Sequence, residues 1–60
     1  MTTVIYLETY SYNPPEEYEL ISEGITIHDI DKYKEADLII GYLHLREGRI
    51  FDVWRRKKNN

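Results

Sequence analysis

Eleven carboxylates, six tyrosines and two histidines are the groups in this 60-residue chain whose chemistry goes beyond packing. The histidines, His28 and His44, are joined by no H-x-x-x-H or similar spacing, so the pattern that would hold zinc is missing. A lone histidine is more often a surface or satisfied core residue than a ligand. There is no cysteine, which removes thiolate ligands and disulfides together. Ser11 and Ser22 have no nucleophile-elbow motif around them. Three scattered glycines cannot make a phosphate-cradling loop. Acid–base catalysis needs two carboxylates in a cleft that splits their pKa values, and so short a chain leaves little room for a cleft. The expectation is a protein that is not an enzyme and uses no metal or cofactor.

What remains is the chemistry of a surface. Residues 1–45 hold nine acids against two bases, a net charge of −7, whereas residues 46–60 carry +4. An acidic body repels nucleic acid and attracts proteins with a basic groove. The run Arg55-Arg56-Lys57-Lys58 is suited to phosphates, but a charge run is usually a solvated end. Acids spaced along a short helix and a neighbouring strand approximate part of a row of DNA phosphates, which carry about one charge per 1.7 Å of axis.

The elements that must position these groups follow from periodicity. Residues 2–12 alternate, with Val4, Tyr6, Glu8, Tyr10 and Tyr12 on one face, and read as a strand. Asn13-Pro14-Pro15-Glu16 cannot continue a ladder and reads as a turn. Residues 17–23 alternate again and read as the second strand of an antiparallel hairpin. After Gly24, Thr26 is placed to cap a helix, Asp29 to reach back to it, and Ile25 and Ile30 to staple it. That helix is expected to run to Glu35 or Ala36, burying Ile27, Ile30 and Tyr33 or Lys34. Acids in its first turns, Asp29 and Asp31, suit a helix N-terminus. Residues 37–45 are the most apolar and read as the central strand, Arg46-Glu47-Gly48-Arg49 as a turn, and residues 50–54 as a further strand. The expected fold class is α+β: a small antiparallel sheet of three or four strands with one helix, in the order ββαβ(β). Residues 1–54 would form one acidic domain and residues 55–60 a frayed basic tail.

One stretch carries a family likeness. Gly24, Ile25, Thr26, Ile27, Asp29, Ile30 and Asp31, followed by Ile39 and Ile40, stand in an order that resembles the small uracil-DNA glycosylase inhibitors of protein-primed Bacillus phages. The likeness covers about residues 3–47. It departs from the family at Ile30, where the family has phenylalanine, and at Asp31, where it has glutamate. The resemblance implies a homodimer that mimics DNA and blocks the enzyme's DNA-binding groove, with an apolar pocket for the side chain the enzyme drives into the minor groove. On that implication Ile30 and Tyr33 help line the pocket, Asp29 and Asp31 stand in for phosphates, and the site of action is the cytoplasm of an infected bacterium. Glu17, Glu19 and Glu23 join the partner-binding set on charge alone.

Two other readings compete. One is an acidic effector that blocks a different DNA-handling protein. The other is a small nucleic-acid-binding module that stacks Trp54 and places Arg55, Arg56, Lys57 and Lys58 on phosphates. No apolar run approaches the ~20 residues that span a bilayer, and residues 1–3 do not begin like a signal peptide. A 60-residue chain buries only about 60% of its unfolded surface, which favours self-association or docking on a larger partner.

Overall fold

A computed structural model of the chain describes residues 2–9 and 12–58. Four strands form one sheet: β1 (Thr3–Leu7), β2 (Tyr18–Ile25), β3 (Leu38–His44) and β4 (Gly48–Arg56). Their spatial order is β1-β3-β4-β2. β1 runs parallel to β3, and β4 is antiparallel to both β3 and β2. The sheet is therefore mixed rather than antiparallel.

The expected hairpin of the first two strands does not form: β1 and β2 lie at opposite edges. Two physical reasons account for this. β1 ends at Leu7, so ten residues separate it from Tyr18, too many for a tight reversal. And Leu38, Ile39 and Ile40 are buried on both faces of β3, a pattern that calls for a strand with neighbours on each side. β4 supplies one neighbour through the short hairpin at residues 45–47, and the uncharged β1 supplies the other. The expected continuation of the first strand over Tyr10 and Ser11 lies outside the described residues, as does the end of the tail at Asn59 and Asn60.

The expected α-helix is absent as well. Strands take 53% of the structure and helical turns 5%, the latter a single 3-10 turn, Ile30–Lys32. Residues 26–37 instead form a chain of i to i+3 turns: the N–H groups of Asp29, Lys32, Tyr33 and Ala36 donate to the carbonyls of Thr26, Asp29, Ile30 and Tyr33. The cause is the spacing of the apolar residues. Ile27, Ile30, Tyr33 and Ala36 recur every third position, which matches the three residues per turn of a 3-10 helix. An α-helix would bring the i+4 partners of Ile27 and Ile30, namely Asp31 and Lys34, onto the buried side. Isoleucine, threonine, histidine and aspartate through this stretch are also weak helix formers. Asp29 makes no side-chain cap.

Directly opposed residues in a ladder share a face. Ile39 and Gly41 of β3 therefore share a face with Val53 and Phe51 of β4 and with Val4 and Tyr6 of β1. The crossover of residues 26–37 packs on this face, where Ala36, Ile39, Phe51 and Val53 make the core and Ile21, Ile25, Ile30 and Tyr33 lean on it. Leu38, Ile40, Ile50 and Asp52 belong to the other face and are also buried. Gly41 makes the first face possible. A Cβ there would stand 2.7 Å from the Phe51 ring and 3.2 Å from the Tyr6 ring. Without it, the two rings meet edge-to-face over the strand at 6.4 Å.

β4 runs to Arg56, so Arg55 and Arg56, expected in the tail, lie in the sheet. Arg55 donates to Glu19 at 2.8 Å, and Arg56 lies 3.7 Å from Glu17.

Candidate functional site

A groove opens between β1 and the crossover. Val4 and Tyr6 form one wall, Ile27, Ile30, Tyr33 and Lys34 the other, and Ile39 and Phe51 the floor. Its volume is about 350 Å³. Thr2 and Asp31 complete the lining. Alternation along β1 turns Val4 and Tyr6 toward the crossover, and the three-residue period turns Ile27, Ile30 and Tyr33 back toward β1. Thr2 Oγ1 donates to the Ala36 carbonyl at 2.7 Å and the Thr3 N–H to the Asp37 carbonyl at 3.0 Å, fastening the two walls together at one end.

The groove is apolar with one acid and one base at its margin. Asp31 is exposed and, among the described residues, in no ion pair. Asp29 is held 3.1 Å from Lys32 and is not part of the lining. The Arg49 guanidinium sits 5.2 Å from the centre of the Tyr6 ring and donates to the Leu7 carbonyl at 2.9 Å, so it fixes that ring at the mouth.

The expected partner-binding residues thus divide. Ile30, Asp31 and Tyr33 come together at the groove. Asp29 stands beside them but is engaged with Lys32. Glu19 and Glu23 lie on β2 and Glu17 just before it, at the far edge of the sheet, and Glu17 and Glu19 are engaged by Arg56 and Arg55. The strand reading of β1 already gave Val4 and Tyr6 a common face; what it lacked was the neighbour that makes that face a wall. Nothing local to Ile39 or Phe51 marks either as groove floor; their place there follows from a pairing between distant segments.

A second polar feature went unread. Asp52 is 2% exposed, and its Oδ1 accepts from the Gly24 N–H at 3.1 Å and the Tyr42 hydroxyl at 3.2 Å. Gly24 has φ of +67°, a conformation that glycine adopts freely, in a stretch of β2 where the register against β4 shifts twice. The only sequence signal was an aspartate set between Phe51 and Val53.

His44 is occupied within its own turn, where Nδ1 accepts from the N–H groups of Arg46 and Glu47. Among the described residues no three His, Cys, Asp or Glu side chains stand close enough to hold a metal ion, and no helix is long and apolar enough to cross a membrane. No protein-family model, curated protein or solved structure matches the chain.

Proposed function

We propose that this chain is a protein-binding effector that takes an apolar side chain of a basic partner into the groove between β1 and the crossover. The specific reading is inhibition of a uracil-DNA glycosylase by occupation of its DNA-binding groove. The observation that carries the proposal is the meeting of Ile30 and Tyr33 as walls of an apolar groove with Asp31 at its margin. These are three residues that the family resemblance assigns to a pocket and to a phosphate stand-in. An enzyme that pushes an apolar side chain into DNA while gripping phosphates with bases presents the complementary pair of groups. The role of Glu17 and Glu19 as phosphate stand-ins is reduced, because Arg56 and Arg55 already balance them. The acidic contribution to binding then falls on Asp31, with Glu23 and Glu35 as exposed acids elsewhere on the body.

The same pairings argue against the nucleic-acid module, since two of its four tail bases are spent inside the sheet. The test is a titration of the protein into uracil-DNA glycosylase acting on a uracil-containing duplex. Stoichiometric inhibition, lost in both Asp31→Lys and Tyr33→Ala, is the expected result. No inhibition at a large excess of the protein removes the glycosylase. A pull-down from bacterial lysate with wild-type and Tyr33→Ala protein then asks whether another DNA-handling protein uses the groove.

A further inference from the structure

β1 is an edge strand whose outer side is unpaired among the described residues. The Thr3 N–H bonds the Asp37 carbonyl, on the side of β3. Backbone groups alternate along a strand, so Thr3, Ile5 and Leu7 face β3, while Val4 and Tyr6 turn their N–H and C=O groups outward. Two donors and two acceptors therefore stand in a row with no partner in the sheet. The usual devices that blunt an edge are missing: residues 3–7 hold no charge, proline or glycine, and the ladder with β3 is regular. On the groove side of this edge Val4, Tyr6 and Ile27 are 45%, 63% and 56% exposed.

We infer that the outer edge of β1 takes up an extended segment of a foreign protein as a fifth strand of the sheet, a segment with apolar residues at alternate positions and lysine or arginine at its ends. In strand addition the main chain supplies affinity and alternate side chains supply specificity. Both are available here. An antiparallel segment, the stronger direction per residue, would exchange hydrogen bonds with both outward groups of Val4 and of Tyr6. Its residues opposite Val4 and Tyr6 would share their face and cover the apolar strip that those two make with Ile27. Its intervening residue would stand on the other face beside Ile5, which is half-buried.

Charge selects the occupant. Glu8 follows β1 directly and is exposed. Asp31, at the margin of the groove, is exposed and in no ion pair among the described residues. Arg49 is turned inward, donating to the Leu7 and Gly41 carbonyls. With −7 on residues 1–45, a second copy would bring like charge to this edge, whereas a segment with basic ends is drawn to it. Strand addition goes beyond a single apolar side chain entering the groove, and it does not rest on the glycosylase, because the edge and the charge belong to this chain alone.

The test uses the wild-type chain and a capped synthetic peptide, Lys-Val-Thr-Val-Lys, at millimolar concentration. Amide hydrogen exchange read by NMR should slow at Val4 and Tyr6 by at least about tenfold, with no change along β2. Two methylated peptides separate backbone pairing from side-chain contact. N-methylation of the valines removes the donors that would face β1 and should abolish the protection, whereas N-methylation of the threonine, whose amide would face away, should preserve it. Strand addition is overturned if the peptide leaves exchange at Val4 and Tyr6 unchanged, or if both methylated peptides act alike, which would mean that side chains alone enter the groove. It is equally overturned if Val4 and Tyr6 are protected without peptide in a manner that grows with protein concentration, which would give the edge to a second copy. Protection by the peptide in a chain that fails to inhibit the glycosylase supports strand addition and removes only that partner. Inhibition of the glycosylase without protection by the peptide removes strand addition and leaves the groove reading in place.

Discussion

The two edges of the sheet are built on opposite plans. β2 spans eight residues, carries Glu19 and Glu23, follows two consecutive prolines, and shifts register twice against β4. Arg55 and Arg56 reach across from β4 to its acids, and the Tyr18 hydroxyl, ahead of Glu17, raises the pKa of Arg56 above its ordinary value. β1 spans five uncharged residues in one unbroken parallel register. Charge, irregularity and proline are the means by which an edge refuses further pairing. The chain spends them all on one side. β1 is left plain, beside the open apolar groove.

The sharpest way to break the contrast is to disturb the plain side from within. Gly41→Ala would drive a methyl group into the Phe51 and Tyr6 rings. The expected loss is about 1–3 kcal/mol in urea unfolding, with Tyr6 displaced from the groove. On the irregular side, Asp52→Ala removes the acceptor shared by Gly24 and Tyr42 from the interior of the sheet. It should cost about 1–3 kcal/mol, and hydrogen exchange should quicken along β2 while β1 is unchanged. Equal loss of protection on both edges would mean that Asp52 supports the whole sheet and not the bulged edge alone.

Smaller changes sharpen the same contrast. Gly24→Ala introduces a side chain at a positive φ with open space around it, so the cost is conformational only, about 1–2 kcal/mol, read as a lower denaturation midpoint at constant slope. Glu19→Gln breaks an ion pair that is about half exposed on both sides, and the expected loss is under ~1 kcal/mol. Its more telling readout is solution behaviour. If β2 owes its protection to charge, the variant should associate more readily at high concentration, through an edge that the wild type keeps closed.

Local signals in the sequence carried the four strands, although β2 does not end at Gly24 but runs on through it to Ile25, with a shift of register. Leu38, Ile39 and Ile40 announced an interior strand because only such a position buries both faces of a run. The grouping of Ile30, Asp31 and Tyr33 was legible because all three lie within four residues. Pairing was not legible, since nothing within Thr3–Leu7 states whether the neighbour is Tyr18 or Leu38. That choice is made by the two-sided burial of β3 and by the ten residues that separate β1 from β2. The helix failed on a finer point. Apolar residues at 27, 30, 33 and 36 fit a period of 3.0 better than 3.6, whereas the capping pattern around Thr26 points to an α-helix. Asp52 was hidden because its acceptor role depends on a glycine in a different strand.

The parallel pairing of β1 with β3 also sets the order in which the molecule can assemble. β3 and β4 are joined by three residues and can zip together locally. β1 is made before its partner β3, which follows only after β2 and the crossover. β1 is thus among the last of the four strands to be placed, because closing so long a loop costs entropy before any contact returns it. For that interval its uncharged segment stands in solution with both sides open. Lower temperature or slower translation is then expected to raise the yield of soluble material, read as the soluble fraction on expression.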